Sequence, residues 1–185
     1  MKNKTRILNK RLRMEMKKTE VELKSHMAAE FFLTSEIYKK STFIMLYMPI
    51  GNETDTSYII KRAFADGKKL VFPVTDSKSG EITAYCVNVD TGFVKGAFSV
   101  YEPDSAELAD INEIDVVIVP GVAFDNSGAR IGFGKGCYDK FLKRVSAVKV
   151  GFCYEFQICD KIVTDEHDIN MDYLVTEAGL IKCVE

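Results

Sequence analysis

The sequence predicts an α/β fold of three layers, α/β/α, on a mainly parallel sheet, with residues 1–185 forming a single domain. Three observations point there. Short apolar runs such as Thr42 to Tyr47 (TFIMLY) and Val116 to Val119 (VVIV) read as strands buried on both faces. Stretches with apolar residues at helical spacing separate these runs. A chain of 185 residues, 46% hydrophobic and 28% charged, is long enough to bury a sizeable core and has the ordinary composition of a globular protein.

Each element follows from its local pattern. Residues 4 to about 40 read as helical, because Leu8, Leu12 and Met16, then Val21, Leu23, Met27 and Phe31, recur near helical spacing. Thr19 followed by Glu22 resembles a capping box that restarts the helix. The strand Thr42 to Tyr47 is broken by Pro49 to Asn52. Thr56 to Ala65 is a helix closed near Gly67, with Thr54 or Asp55 as its N-cap. Lys69 to Val74 (KLVFPV) is a strand that Pro73 ends. Ile82 to Val89 alternates as an exposed edge strand does. Val116 to Val119 is a strand, Asp139 to Val145 a helix, Lys149 to Tyr154 a strand and Leu174 to Glu177 a last one. Right-handed crossovers place helices on both faces of such a sheet. Functional loops then lie at the carboxyl ends of strands, here Pro49 to Thr56 and Pro120 to Gly136.

Composition removes several classes of function. A net charge of −2 provides no strong field for nucleic acid. No run of 18 or more apolar residues is present, so no membrane span is expected. The N-terminus is basic (Lys2, Lys4, Arg6, Lys10, Arg11, Arg13, Lys17, Lys18), but no apolar segment of a secretion signal follows it. Five cysteines at spacings that match no zinc or Cys-x-x-Cys motif fit a reducing cytoplasm. The expectation is a cytoplasmic monomer acting on a small molecule.

Ile118 to Leu142 (IVPGVAFDNSGARIGFGKGCYDKFL) carries the most chemistry. It reads as strand, loop and helix start, with Gly128, Gly132, Gly134, Gly136, Arg130 and Lys135 inside nine residues. Glycine lets backbone approach a ligand closely. Amides ahead of a helix, with cations beside them, make an anion site. The segment is neither a P-loop, since Gly128 stands one residue too far from Gly134, nor the dinucleotide fingerprint, since Tyr138 replaces the third glycine. It reads as a phosphate cradle, with Asp139 behind it placed to hold a metal.

Pro120-Gly121, Phe124-Asp125, Gly128, Arg130, Gly132 to Gly136 and Tyr138-Asp139 together resemble the signature of the 5-formyltetrahydrofolate cyclo-ligase family, also called 5,10-methenyltetrahydrofolate synthetases. Cys137 departs from it, standing where the family usually has a second Tyr. The resemblance implies a fold like ribose-phosphate isomerase and CoA transferases. It also implies conversion of 5-formyltetrahydrofolate to 5,10-methenyltetrahydrofolate with ATP as co-substrate and Mg2+ as metal.

Site residues follow from the same resemblance. ATP would meet Lys2, Arg6, Arg130, Gly132, Phe133, Gly134, Lys135, Gly136, Cys137 and Tyr138, with Lys4 as the alternative to Lys2 and either Arg11 or Arg13 as a further basic contact. Folate would meet Met48, Glu53, Phe133, Lys135 and Tyr138. Asp139 and Asp168 would hold the metal, and Arg130, Lys135 and Asp139 would serve catalysis. Gln157 matches a family Gln whose role stays open, and Glu102-Pro103 resembles a substrate-loop pair. Read on its own, DEHDINMDYLVTE (Asp165 to Glu177) is either a metal site or a water-facing acidic loop. Two other functions remain: a sugar-phosphate isomerase or CoA transferase on a similar fold, and a non-catalytic binder of folate or nucleotide.

Overall fold

The computed structural model describes residues 2 to 104 and 106 to 184. Helices α1 (Lys2–Glu15), α2 (Lys18–Thr34) and α3 (Glu36–Lys40) precede strand β1 (Phe43–Met45). Helix α4 (Ser57–Ala65) crosses to β2 (Lys69–Thr75), which turns back into β3 (Ile82–Val87). A hairpin of β4 (Phe93–Lys95) and β5 (Tyr101–Pro103) follows, then β6 (Glu107–Leu108). Strand β7 (Val116–Val119) leads through β8 (Ala123–Asp125) and β9 (Arg130–Ile131) to α5 (Cys137–Leu142) and β10 (Val148–Phe152). β11 (Ile158–Cys159), β12 (Tyr173–Thr176) and β13 (Gly179–Lys182) come last.

The main sheet has the order β13-β12-β10-β7-β1-β2-β3-β6. Its five central strands are parallel, from β12 to β2, and antiparallel strands flank them: β13 on one side, β3 and β6 on the other. Both faces of the centre are covered. Ile44, Leu46, Leu70, Phe72, Val116, Ile118, Val150 and Phe152 pack on the side of α2, α3 and α4. Their alternates Phe43, Met45, Val71, Val117 and Val119 pack with Phe141 and Leu142 of α5 on the other. Side chains alternate faces along a strand, so a doubly covered strand must be apolar at every position. Strand order reverses at β1: the chain moves from β1 to β2 on one side, then to β7 on the other. In such sheets a ligand usually binds in the crevice outside the carboxyl ends of the strands at this reversal, here β1 and β7.

Several expected boundaries shift. The helical stretch is three helices: it restarts at Lys18, one residue before the expected Thr19, and breaks a second time at Ser35. Met16 turns inward at the first break, and α2 starts at Lys18 with Lys17 as an N-cap that makes no side-chain bond, so the Thr19–Glu22 box is not used. Ser35 makes the second break, its Oγ accepting from the amide of Tyr38 at 3.2 Å to cap α3. The apolar residues that suggested the helix do not mark its inner face. Leu8, Leu23, Met27 and Phe31 are exposed, while Asn9, Arg13, Ser25, Ala28, Ala29 and Phe32 are buried. Polar Asn9 and Arg13 face inward because α1 docks on strand ends, where backbone carbonyls need donors.

Helix α4 begins at Ser57, one residue later than expected. Thr56 is its N-cap residue but turns its hydroxyl to Tyr47 O at 2.7 Å, and Asp55 Oδ1 takes the Ser57 amide at 2.8 Å. Pro73 does not end β2, which continues to Thr75. Pro73 shares the side of Val71, whose carbonyl takes Leu46 N, and the β1 partner has already stopped there. The missing N–H therefore breaks no ladder. β3 is not an outer edge, because β6 pairs with Tyr85 and Cys86. Among the described residues, no helix is long and apolar enough to cross a membrane.

The turn between β8 and β9 hangs on Gly128, at φ +83°. A Cβ there would collide with the Met171 carbonyl, and the Gly128 carbonyl takes Met171 N at 2.8 Å. Gly128→Ala therefore combines backbone strain with a clash against backbone that cannot yield. It should lower stability by about 2 kcal/mol or more in urea denaturation, and a loss below about 0.5 kcal/mol would show that the turn relaxes freely.

Candidate functional site

The crevice at β1 and β7 is lined by four pieces of chain. The first is α1. Lys2, Arg6, Asn9 and Arg13 recur at i, i+4, i+7 and i+11, so they share one helix face. Arg6 Nε donates to Gly132 O at 2.9 Å, Asn9 Nδ2 to Val122 O at 3.0 Å and Arg13 Nη1 to Gly121 O at 3.4 Å. Lys2 Nζ reaches Asp165 Oδ2 at 2.7 Å and Asp168 Oδ2 at 2.8 Å. Lys4 is exposed, because two residues turn a helix by roughly 200° and carry it to the far side. Arg11 also faces water and pairs with Glu15, so Arg13 is the further cation that turns inward.

The second piece is the glycine loop and the start of α5. Gly134 (φ +106°) and Gly136 (φ +66°) hold left-handed backbone that side chains rarely adopt. The amides of Phe133 to Gly136 find no acceptor among the described residues, and α5 begins at Cys137 without a side-chain cap. The first helical amides lack partners by geometry, so the loop presents a run of free donors. Cations surround it. Lys10 Nζ lies 4.7 Å and the Arg13 guanidinium 5.7 Å from the centre of the Phe133 ring. Exposed Lys135 lies 3.7 Å over the ring of Phe98, which fastens the loop to the turn between β4 and β5.

Arg130 and Asp139 form the third piece. Arg130 Nη2 sits 3.0 Å from both Asp139 oxygens, and Nη1 donates to Pro120 O at 3.3 Å. The guanidinium lies 5.7 Å over the Tyr138 ring. Asp168 adjoins this pair, since the next amide, Ile169 N, points to Asp139 Oδ1 at 3.4 Å. Burial would raise the Asp168 pKa, but hydrogen bonds from Lys2 and the Asp165 amide more than offset it, and the carboxylate stays below its ordinary range. The bonds to Asp165 and Asp168 hold Lys2 above its own. Two neighbouring carboxylates, each now neutralised by a side-chain cation, suit a hard divalent ion that takes its remaining ligands from water and phosphate. No group of three or more His, Cys, Asp or Glu among the described residues forms a metal cage. His167 stands off in water beside Glu166.

Glu53 is the fourth piece. It is buried in the loop after β1, with Oε2 accepting the Ile50 amide at 2.9 Å and Oε1 lying 3.6 Å from Arg13 Nη1. Burial pushes its pKa up, while Arg13 and the Ile50 amide pull it down. Burial also raises Tyr138, with the Glu53 charge adding to the effect. Met48 is half-buried against the α2-side core. Three buried side-chain atoms among the described residues lack a partner: Glu53 Oε1, Thr54 Oγ1 and Arg130 Nε. Two of the three belong to residues the sequence assigns to ligand. An unpaired buried polar group costs about 1–3 kcal/mol, so such atoms mark where a ligand would supply the missing bonds.

The expected residues thus mostly converge, Lys4 apart. Cys137 turns its sulfur toward Gly80 rather than to a base. Glu102 is buried and accepts the amides of Thr75 and Ala97, so it ties its hairpin to the end of β2. Gln157 donates to Gly121 O at 3.0 Å and Val122 O at 2.9 Å, which gives that residue a scaffold role. Asn9 escaped sequence reasoning. The polar stripe through Lys2, Arg6 and Arg13 was the available signal.

Comparison with known proteins shows the family. The family model described as the 5-formyltetrahydrofolate cyclo-ligase family matches residues 2–177. A 5-formyltetrahydrofolate cyclo-ligase of Saccharomyces cerevisiae is 32% identical over 164 residues, covering 75% of this chain and 77% of that protein. The mouse 5-formyltetrahydrofolate cyclo-ligase is 28% identical over 153 residues, covering 76% and 75%. The solution structure of Aquifex aeolicus 5,10-methenyltetrahydrofolate synthetase superposes with a TM-score of 0.87 at 34% identity, covering 100% of this chain and 93% of that one. The chain belongs to the 5-formyltetrahydrofolate cyclo-ligase family, a family of enzymes.

Proposed function

We propose that this chain, acting as a single domain, converts 5-formyltetrahydrofolate to 5,10-methenyltetrahydrofolate in an ATP- and Mg2+-dependent reaction that releases ADP and phosphate. The observation that carries the reading is the docking of the cationic face of α1 over the free amides of the glycine loop, with Arg6 Nε 2.9 Å from Gly132 O. Amides at a helix start with Lys and Arg above them suit a polyphosphate.

The chemical problem is that a formamide oxygen leaves poorly. Transfer of the γ-phosphoryl to that oxygen breaks its bond to ADP and gives an iminium phosphate. The anilinic nitrogen of folate then attacks the formyl carbon, loses its proton and closes the ring, and the oxygen departs within phosphate. Positioning and charge neutralisation carry such a transfer, so no nucleophilic side chain is required. The loop amides, Arg130 and Lys135 bind the triphosphate, and Lys2 and Arg6 close over it. Asp139 and Asp168 are the residues that would hold Mg2+, which neutralises phosphate charge when bound. Glu53 and Tyr138 orient the folate, and Met48 and Phe133 offer it apolar surface.

The direct test is absorbance at the methenyl-folate band after mixing protein, 5-formyltetrahydrofolate, ATP and Mg2+. A rise that requires both ATP and Mg2+ is expected, and a protein that gives no rise is not this ligase. Asp139→Asn keeps the shape and one bond to Arg130 but removes a negative ligand. Its turnover should fall by about 100-fold or more while its melting temperature stays within a few degrees, as for loss of a charge that acts on the transferring group. Near-normal turnover would remove Asp139 from the metal site. By calorimetry, Lys2→Ala should weaken ATP binding by about 10-fold, the scale of one charge-assisted bond. Lys4→Ala should change it less than about 2-fold, as an exposed charge does. The reverse order would put the other register of α1 on the nucleotide.

A further inference from the structure

We infer that Arg13 is a positioning residue for the folate ring, acting through its buried ion pair with Glu53 and governing substrate affinity rather than nucleotide binding. This deepens the folate reading and rests on it. The Arg13 side chain is 9% exposed and that of Glu53 is 4% exposed, so neither charge is satisfied by water. Arg13 binds three loops of the crevice at once: Glu53 after β1 at 3.6 Å, Gly121 O after β7 at 3.4 Å, and the Phe133 ring of the glycine loop at 5.7 Å. Its backbone is fixed as well, because Asn52 Nδ2 donates to Arg13 O at 2.7 Å and Met16 O at 3.1 Å. Its side chain therefore ends beside the carboxylate, on the buried side of the crevice.

The geometry leaves Glu53 half used. Oε2 takes the Ile50 amide, whereas Oε1 has Arg13 at ion-pair distance but no hydrogen bond. The other titratable groups around Glu53 are Tyr47 at the end of β1 and Tyr138 on α5, both neutral acids, and the Tyr154 hydroxyl, which donates to the Glu53 carbonyl at 3.2 Å. Arg13 is the one cation among the described groups that opposes the burial of this carboxylate. A flat heterocycle with two adjacent N–H donors needs an ionised carboxylate, because a protonated one loses an acceptor. Without Arg13, desolvation leaves Glu53 protonated to higher pH, and folate affinity falls at neutral pH and returns as pH rises.

The experiment measures KM for 5-formyltetrahydrofolate, KM for ATP and kcat between pH 6.5 and 9 for the full chain and for Arg13→Gln, Arg13→Lys and Glu53→Gln. Arg13→Gln should raise the folate KM about 10-fold at pH 7, the ATP KM less than about 2-fold, and the folate penalty should shrink toward pH 9. Arg13→Lys should keep the folate KM within about 3-fold and retain the wild-type pH profile, since the charge remains. Glu53→Gln should raise the folate KM equally at every pH. A pH-independent defect in Arg13→Gln, or an equal rise in ATP KM, overturns the inference while wild-type turnover leaves the folate reading standing. Should Arg13→Gln fail to fold, Arg13→Lys decides: a folate KM raised about 10-fold at all pH values overturns it. Absence of wild-type turnover overturns the folate reading and this inference together.

Discussion

The carbonyl oxygens of Pro120, Gly121 and Val122 have to find donors, because β7 ends inside the molecule. Each takes side chains from a different part of the chain: Arg130 on Pro120, Gln157 and Arg13 on Gly121, Gln157 and Asn9 on Val122. Leaving one such carbonyl buried and unpaired costs about 1–3 kcal/mol. The need therefore draws α1, β9 and the turn after β10 to one point. α1 has no comparable apolar claim on the core, since its buried residues are Asn9 and Arg13. The crevice and the helix that closes it are assembled by the same backbone requirement.

That arrangement brings charge into a confined space. Arg130 covers Asp139, and Lys2 covers Asp168. Neither pair is spent on holding the core together. The Lys2–Asp168 pair is partly exposed and contributes little to stability, because Coulomb gain is offset by side-chain ordering, whereas the Arg130 guanidinium is buried and its pair with Asp139 carries a larger desolvation cost. Exchange of partners therefore costs little at Lys2, while Arg130 and Asp139 can part only if each gains a new partner of opposite charge. In the proposed reaction Lys2 and Arg130 would take a polyphosphate as partner, and Asp139 and Asp168 would hold a divalent ion that neutralises phosphate charge.

What the sequence discloses divides by range. The four apolar runs that became β1, β2, β7 and β10 are legible because burial on both faces leaves a purely local mark. The glycine loop is legible because positive φ demands glycine at Gly134 and Gly136, whatever surrounds them. β1 is as short but lies inside a longer apolar run, whereas β4, β5, β6, β8, β9 and β11, of two or three residues each, are too short to show a period. The break at Met16 and the continuation of β2 through Pro73 are decided by neighbours: an inward-turned side chain in one case, a partner strand that has already stopped in the other. Asn9, Arg13 and Gln157 have the types of surface residues, and only the carbonyls they meet, far off in sequence, reveal their work.

The same division explains why helix period settles what spacing could not. In a linear motif Lys4 stays open as the alternative to Lys2, and Arg11 and Arg13 are both candidates. Once Asn9 is fixed to Val122 O, the face of α1 is fixed too, and only residues in phase with it can reach the crevice. Lys2, Arg6 and Arg13 are in phase, and Lys4 and Arg11 are not. One neutral amide, which carries no charge a ligand would seek, thereby selects which cations of a basic helix become part of the site and which remain in solvent.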